Sequence, residues 1–243
     1  MKYLLALFTV VMLFTACSDD EDNSNIGYPS KTLKQVDIFN EEDHLIKSIY
    51  LYYNDKGQWI KSKYEEYEET YIYTYNTTLS YTDDKILYTS TSEHWDGGTV
   101  EFAIKENRII TATRFGDVDY YTYSDGYLSQ IGSSDKVYDR FEYTNGNLTR
   151  SFNVDEGSLN LKYTNTPDRL GINIIGYYTD TFDPASPLYQ FGYFGKRSKN
   201  LIKSIGKTNY SYTLDNEGYV TEIKIEYGSG AIRIYKLYYN SEG

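Results

Sequence analysis

Cysteine is almost missing: Cys17 is the only one in 243 residues. No intramolecular disulfide can form, and no thiolate metal centre can be assembled. Histidine is nearly as scarce. His44 and His94 are the only two, too few for an ordinary zinc site, and each reads as a surface residue near a turn. Positive charge is short as well, with 24 Lys+Arg against 35 Asp+Glu and a net charge of −11. Such a field repels polyphosphate and anionic bilayer surfaces, so nucleic acid is excluded as a partner. Only four prolines occur. No long stretch carries apolar residues at the i, i+3, i+4 spacing of an amphipathic helix. Phosphate-binding loops, Gly-x-Ser-x-Gly elbows, His-Glu-x-x-His and calcium-loop spacings are all absent. No cofactor is expected.

The long hydrophobic run is also missing, with one exception at the start. Lys2 is followed by unbroken apolar and small residues from Tyr3 to Ala16, and then by Cys17. This run is too short to span a bilayer, which needs about 20 residues. A charged start, a short apolar centre and a small residue before the cut describe an export signal. Phe14-Thr15-Ala16-Cys17 resembles the lipobox of bacterial lipoproteins, although the family usually has Leu where Phe14 stands. That resemblance implies cleavage before Cys17, diacylation of its sulfur, and palmitate among its chains. Loss of Lys2 with the leader moves the net charge from −11 to −12. Asp19-Asp20-Glu21-Asp22 follows directly. It looks like the tag that sends such lipoproteins to the outer face of the outer membrane, and it also reads as a solvated spacer. The expected organisation is a leader over 1–16, a lipidated acidic tether over 17–32 and one domain over 33–243. The expected location is the outer membrane, facing the exterior.

What the chain has in excess is tyrosine, thirty of them. Tyr favours strands because its ring packs on a pleated surface while its hydroxyl stays wet. One phrase recurs: an aromatic-rich strand, Asn or Asp with a nearby Gly, then an aliphatic-rich strand. It occurs at Tyr53-Asn54-Asp55-Lys56-Gly57, Tyr123-Ser124-Asp125-Gly126, Tyr143-Thr144-Asn145-Gly146 and Asp215-Asn216-Glu217-Gly218. Asp125-Gly126 and Asn145-Gly146 are type I′ hairpin signals, while the longer turns suit a type I turn closed by Gly in αL. Ile223, Ile225 and Tyr227 alternate with Glu222, Lys224 and Glu226, the period of a strand with one wet face. Both faces of 49–53 are apolar or aromatic, so a cover on both sides is expected there. Residues 177–193 break the rhythm and read as a longer loop.

The sum is an all-β fold, a long antiparallel up-and-down meander of about 14–18 strands, curled or closed into a barrel. Either the last strand pairs with an early one, or it is an edge protected by Arg233 and Lys236. The repeated phrase resembles the tyrosine–aspartate (YD) repeat of bacterial surface proteins. It is most similar to a Bacteroidota family of lipoproteins of unknown function with a porin-like β fold. The resemblance implies a fold and no activity. A membrane-spanning barrel is the rival. It would show outward apolar residues along about ten positions per strand, whereas Glu, Lys and Asp interrupt nearly every strand here.

Chemistry is thin. Glu65-Glu66 and Glu68-Glu69 could supply an acid/base pair for glycoside hydrolysis; a solvated strand face explains them as well. Asp117 and Asp119 share a face. Tyr71, Tyr73 and Tyr75 share another. Trp59 and Trp95 beside Asp96 are the expected ligand-binding residues, since an indole face with a neighbouring carboxylate suits a sugar. Three functions stay open: a lipid-anchored binding or scaffold protein for a glycan or an envelope protein, a glycan hydrolase, and an accessory subunit of an outer-membrane machine.

Overall fold

A computed structural model describes residues 31–92, 97–171 and 186–240. The leader and Cys17, the acidic cluster, His94, Trp95 and Asp96 lie outside the described residues. Sixteen strands follow one another: β1 (Leu33–Phe39), β2 (Leu45–Tyr53), β3 (Trp59–Tyr67), β4 (Ile72–Tyr81), β5 (Lys85–Ser92), β6 (Gly98–Lys105), β7 (Arg108–Arg114) and β8 (Asp117–Ser124). The second half holds β9 (Tyr127–Gly132), β10 (Val137–Thr144), β11 (Asn147–Asn153), β12 (Gly157–Pro167), the short helix α1 (Ser186–Gln190), β13 (Asn200–Ile205), β14 (Thr208–Leu214), β15 (Val220–Glu226) and β16 (Ile232–Tyr239). Each strand pairs antiparallel with its chain neighbours. β16 closes the barrel on β1, from Leu33↔Tyr239 to Phe39↔Ile234. Arg233 and Lys236 therefore lie inside a ladder, not on an edge, and closure removes every edge.

Turn chemistry sets the antiparallel order. Asp125-Gly126 and Asn145-Gly146 have positive φ at both positions, the backbone a type I′ turn requires. In the longer turn, Asn54 Oδ1 accepts from the N–H groups of Lys56 and Gln58, and Gly57 closes it at φ 73°. Glu106-Asn107 and Phe115-Gly116 also adopt positive φ. Asn107 and Gly116 are types that favour positive φ, whereas Glu106 and Phe115 are not.

Two ends result. The base carries the turns after even-numbered strands, together with residue 31 and Asn240. Lys31 Nζ contacts Asp215 Oδ2 at 2.9 Å, and the Asn240 N–H donates to Thr32 O at 2.9 Å. The rim carries the turns after odd-numbered strands.

The alternation is inside-out relative to a membrane barrel. Inward residues are apolar: Val36, Ile49, Leu79, Ile86, Val100, Phe102, Ile223 and Ile225 are all buried. Outward residues pair charges, as in Lys85–Glu101, Arg150–Glu142 and Lys224–Glu226. Barrels of 16 strands ordinarily leave an aqueous channel. Here one apolar cluster joins β1–β7, β13, β15 and β16, and a second, built on Leu128, Phe141, Leu148, Leu161 and Ile202, fills the β9–β13 side. Burying each such side chain contributes roughly 1.5–3 kcal/mol.

Two expectations need correction, and a third becomes specific. The cover on both faces of 49–53 is not observed: Ile49 and Leu51 are buried, but Tyr52 is 45% exposed on the outer wall, with the Lys61 ammonium over its ring. The described part of the longer loop folds inward as a plug. Leu188, Tyr189, Phe191 and Phe194 pack into the main core. α1 ends where Gly192 takes φ 76° and the Tyr193 N–H returns to Leu188 O, a Schellman-type stop. Trp59, expected on the surface, has no exposure at all. It is the first inward residue after a base turn, and its indole N–H donates to Lys61 O and Ser62 Oγ.

Candidate functional site

The base is sealed by a repeated tyrosine device. At the end of an even strand, a Tyr hydroxyl donates to a carbonyl at or near the start of the preceding odd strand. Tyr53 reaches Leu33 O, Tyr81 Trp59 O, Tyr123 Ile109 O, Tyr212 Ile202 O and Tyr239 Val220 O, all at 2.6–2.7 Å. Tyr53 and Tyr123 belong to the repeated phrase; the phrase's Tyr143 is the exception, with a buried hydroxyl that has no hydrogen-bond partner. Burial pushes the Tyr53, Tyr123, Tyr212 and Tyr239 hydroxyls far above the ordinary tyrosine value, because the tyrosinate would be desolvated.

The plug is bonded to the same ring of turns. Tyr193 O accepts from the Ile109 N–H, the Lys196 N–H donates to Gly126 O, and the Lys199 N–H donates to Gly146 O. Arg197 Nη1 donates to both Leu170 O and Gln190 O. Phe191 meets Tyr53 edge-on with ring centroids 6.0 Å apart. Among the described residues, these bonds and ring contacts tie the plug to the base turns and cover apolar surface there, although the buried Tyr143 hydroxyl and Gln190 Nε2 have no hydrogen-bond partner.

The rim differs. Its inner face carries polar and aromatic side chains on two sides. On β2–β4, Lys47 opposes Glu66, and Glu66 opposes Tyr73. Lys47 Nζ lies 2.8 Å from Glu66 Oε1 and about 5.5 Å from the Tyr64 and Tyr75 rings, which stack at 4.3 Å. Burial works against the Lys47 ammonium, but Tyr75 and Glu66 outweigh it and hold its pKa above the ordinary lysine value. On β8 and β10, Asp117, Asp119 and Asp139 point inward. Burial raises the Asp119 carboxyl; Arg114 opposes the rise, and Asp117 and Asp139 add to it. Asp139 accepts from Asn153 Nδ2 at 2.7 Å. Among the described residues, no three acidic or histidine side chains are grouped to hold a metal ion.

A third feature is a seam. β13 pairs with β14 only through Ser204↔Asn209 and Ile205↔Thr208. A groove of about 500 Å³ opens beside it, lined by Tyr163, Thr164, Leu201, Lys203, Tyr210 and Tyr212.

Of the expected carboxylates, Glu65 and Glu66 are on opposite faces, while Glu68 and Glu69 lie in the rim turn after β3. Glu66 faces the lumen, whereas Glu65 points out to Lys63, Tyr50 and Tyr67. Neighbours on one strand face opposite sides, so these two cannot act on one bond. His44 is exposed in the rim turn before β2, as expected. Tyr73 and Tyr75 share the inward face of β4. Lys47 was missed, because nothing in Leu45-Ile46-Lys47-Ser48 marks an inward lysine until β2 and β3 are in register. Asp139 was missed for the same reason.

The family model described as "Domain of unknown function (DUF4595) with porin-like fold" matches residues 51–222. No curated protein is similar to the chain in sequence. Two solved structures are similar in fold. One is a porin-like protein from Bacteroides uniformis, at 19% identity and TM-score 0.65, covering 88% of this chain and 100% of that one. The other is a porin-like protein from Bacteroides vulgatus, at 14% identity and TM-score 0.53, covering 86% and 99%. The repeated hairpins, the closed sixteen-strand barrel and the family match over most of its length agree: the chain belongs to the family of domains of unknown function with a porin-like fold.

Proposed function

We propose that this protein is a surface lipoprotein that binds a partner without catalysis, tethered through Cys17 and standing base-down on the outer membrane. The observation that carries the reading is the polarity of the barrel combined with its entry point. Residues 31 and 32 enter at the plugged base, so a tether from Cys17 brings the base towards the bilayer and turns the rim away from it. The outer wall carries Lys–Glu and Arg–Glu pairs, which hydrocarbon would not solvate. "Porin-like" then describes shape, and the filled lumen does not conduct. A diacylated cysteine supplies the two acyl chains that stable anchoring needs.

Labelled palmitate in the producing cell tests the anchor. The label enters the wild-type protein and is lost from Cys17→Ala. Epitope tags placed in the rim turn at Asp155-Glu156 and in the base turn at Asp55-Lys56 test the orientation. Intact cells bind antibody to the rim tag better than to the base tag. Undiminished label in Cys17→Ala sinks the anchor, and a base tag exposed in preference to the rim tag sinks the orientation.

A further inference from the structure

The β3–β4 end of the rim exposes Tyr71, Ile72 and Tyr73 at 48%, 56% and 37%. Tyr71 and Tyr73 share the inner face, and Ile72 between them points to the outer wall; the other exposed large apolar side chains of the described residues are scattered singly along the sequence. Exposed apolar groups that cluster are the informative ones. The two tyrosine rings meet edge-to-face, with centroids 4.3 Å apart at 88°, and the Tyr73 hydroxyl donates to that of Tyr71. That contact holds the rings at a fixed angle at the mouth of the barrel.

One step down the same face sits a carboxylate with a fixed aim. Glu66 is directly opposite Tyr73 in the ladder. Its Oε1 accepts from Lys47 at 2.8 Å and from Tyr75 at 3.4 Å, while the side chain stays 43% exposed. The stacked Tyr64 and Tyr75 rings and the Lys47 ammonium form its floor. Aromatic faces, a half-exposed carboxylate and a neighbouring ammonium complement a pyranose. The ring's C–H face packs on an aromatic π-face. Its hydroxyls donate to the carboxylate in charge-assisted bonds, and its oxygens accept from the ammonium.

We infer that the Tyr71–Tyr73 rim with Glu66 and Lys47 beneath it is a binding subsite for a neutral glycan. Charge selects against acidic sugars: Glu68 and Glu69 stand in the same rim turn, and the mature chain carries −12, one unit below the full-chain value of −11 after loss of Lys2. The inference rests on the proposed reading that the rim faces the exterior, where polysaccharide is met.

The test is calorimetric titration of the mature lipidated protein in a detergent without a sugar headgroup. The probes are the neutral hexasaccharides of cellulose, xylan, mannan and laminarin, with hexagalacturonate as the acidic control. At least one neutral probe saturates the protein, and hexagalacturonate does not. Glu66→Gln weakens that binding by roughly tenfold or more, and Tyr73→Ala abolishes it with the β-sheet circular dichroism retained. If Tyr73→Ala fails to fold, Glu66→Gln decides. The inference is overturned if no neutral probe binds, if hexagalacturonate binds more tightly than any of them, or if Glu66→Gln binds like wild type. None of these outcomes touches the anchor, which stands or falls on palmitate labelling of Cys17→Ala.

Discussion

The Tyr123 hydroxyl donates to the carbonyl of Ile109 at 2.7 Å, and the N–H of the same Ile109 donates to Tyr193 O in the plug at 2.8 Å. One residue at the start of β7 is thereby held from both sides. Its backbone fastens a hairpin to its neighbour and the plug to the wall. Buried peptide groups need partners, and a strand that begins at a barrel end lacks one until a tyrosine or a plug carbonyl arrives.

Removal of the Tyr123 hydroxyl should therefore cost more than a surface change. Tyr123→Phe leaves the Ile109 carbonyl without its donor, and a net loss of about 1–2 kcal/mol is expected in urea unfolding. Tyr52→Phe, at a ring 45% exposed on the outer wall, should lie within about 0.5 kcal/mol of wild type. Equal effects for the two would show that the hydroxyl ties add nothing.

The same hydroxyls predict alkaline behaviour. Burial raises the Tyr53, Tyr123, Tyr212 and Tyr239 values above 10.0. An acid whose folded pKa is raised contributes stability that is intact below its unfolded value and is lost as pH rises beyond it. Stability should be flat with respect to these groups up to pH ~10 and fall steeply above it. Tyrosinate absorbance should appear in two stages, exposed rings first and the base ring only on unfolding. A single smooth titration of all thirty tyrosines in the folded protein would contradict this.

Trp59 tests the correction to its expected role. Trp59→Ala removes a fully buried indole, for which about 3–5 kcal/mol is expected. In the wild-type protein its fluorescence should resist aqueous quenchers. Little loss of stability would return Trp59 to the surface.

The plug makes a parallel prediction. Phe191→Ala opens space against Tyr53 and should destabilise by about 3–5 kcal/mol. Arg197→Met strips a charged donor from the Leu170 and Gln190 carbonyls and should cost about 1.5–3 kcal/mol. Thermal unfolding should remain one transition in both variants, since the plug shares the main core. A separate early transition would identify the plug as an independent unit.

Polarity makes the last. The protein lacking residues 1–17 should stay in solution without detergent, because its outer strand faces carry paired charges. Solubility only in detergent, with heat-modifiable migration, would establish a membrane barrel.

Legibility followed the length scale of each cause. Asp125-Gly126 and Asn145-Gly146 could be read as hairpin turns because positive φ is a local demand that few residue types meet. Glu106-Asn107 meets the same demand although Glu106 is a type that does not announce it. The alternation of Ile223 and Ile225 with Glu222 and Lys224 was equally local, and the inward and outward faces came out as expected. Trp59 looked like a ligand-facing aromatic because it follows a turn; only the ring of base turns shows that its side chain faces the core.

By itself the sequence determined the all-β class, the antiparallel meander, the positions of most hairpins and which strand residues face the same way. Each of these depends on neighbours within a few residues, where backbone sterics and the two-residue period act. Tertiary structure decided the rest. It decided the pairing of β16 with β1, the use of 186–199 as a plug, the hydroxyl ties between hairpins, and the meeting of Lys47, Glu66 and Tyr73 at the rim. Those relations join residues on different strands through register. A one-residue slip would turn Lys47 out to solvent, so register, which no short window of sequence contains, places the rim chemistry.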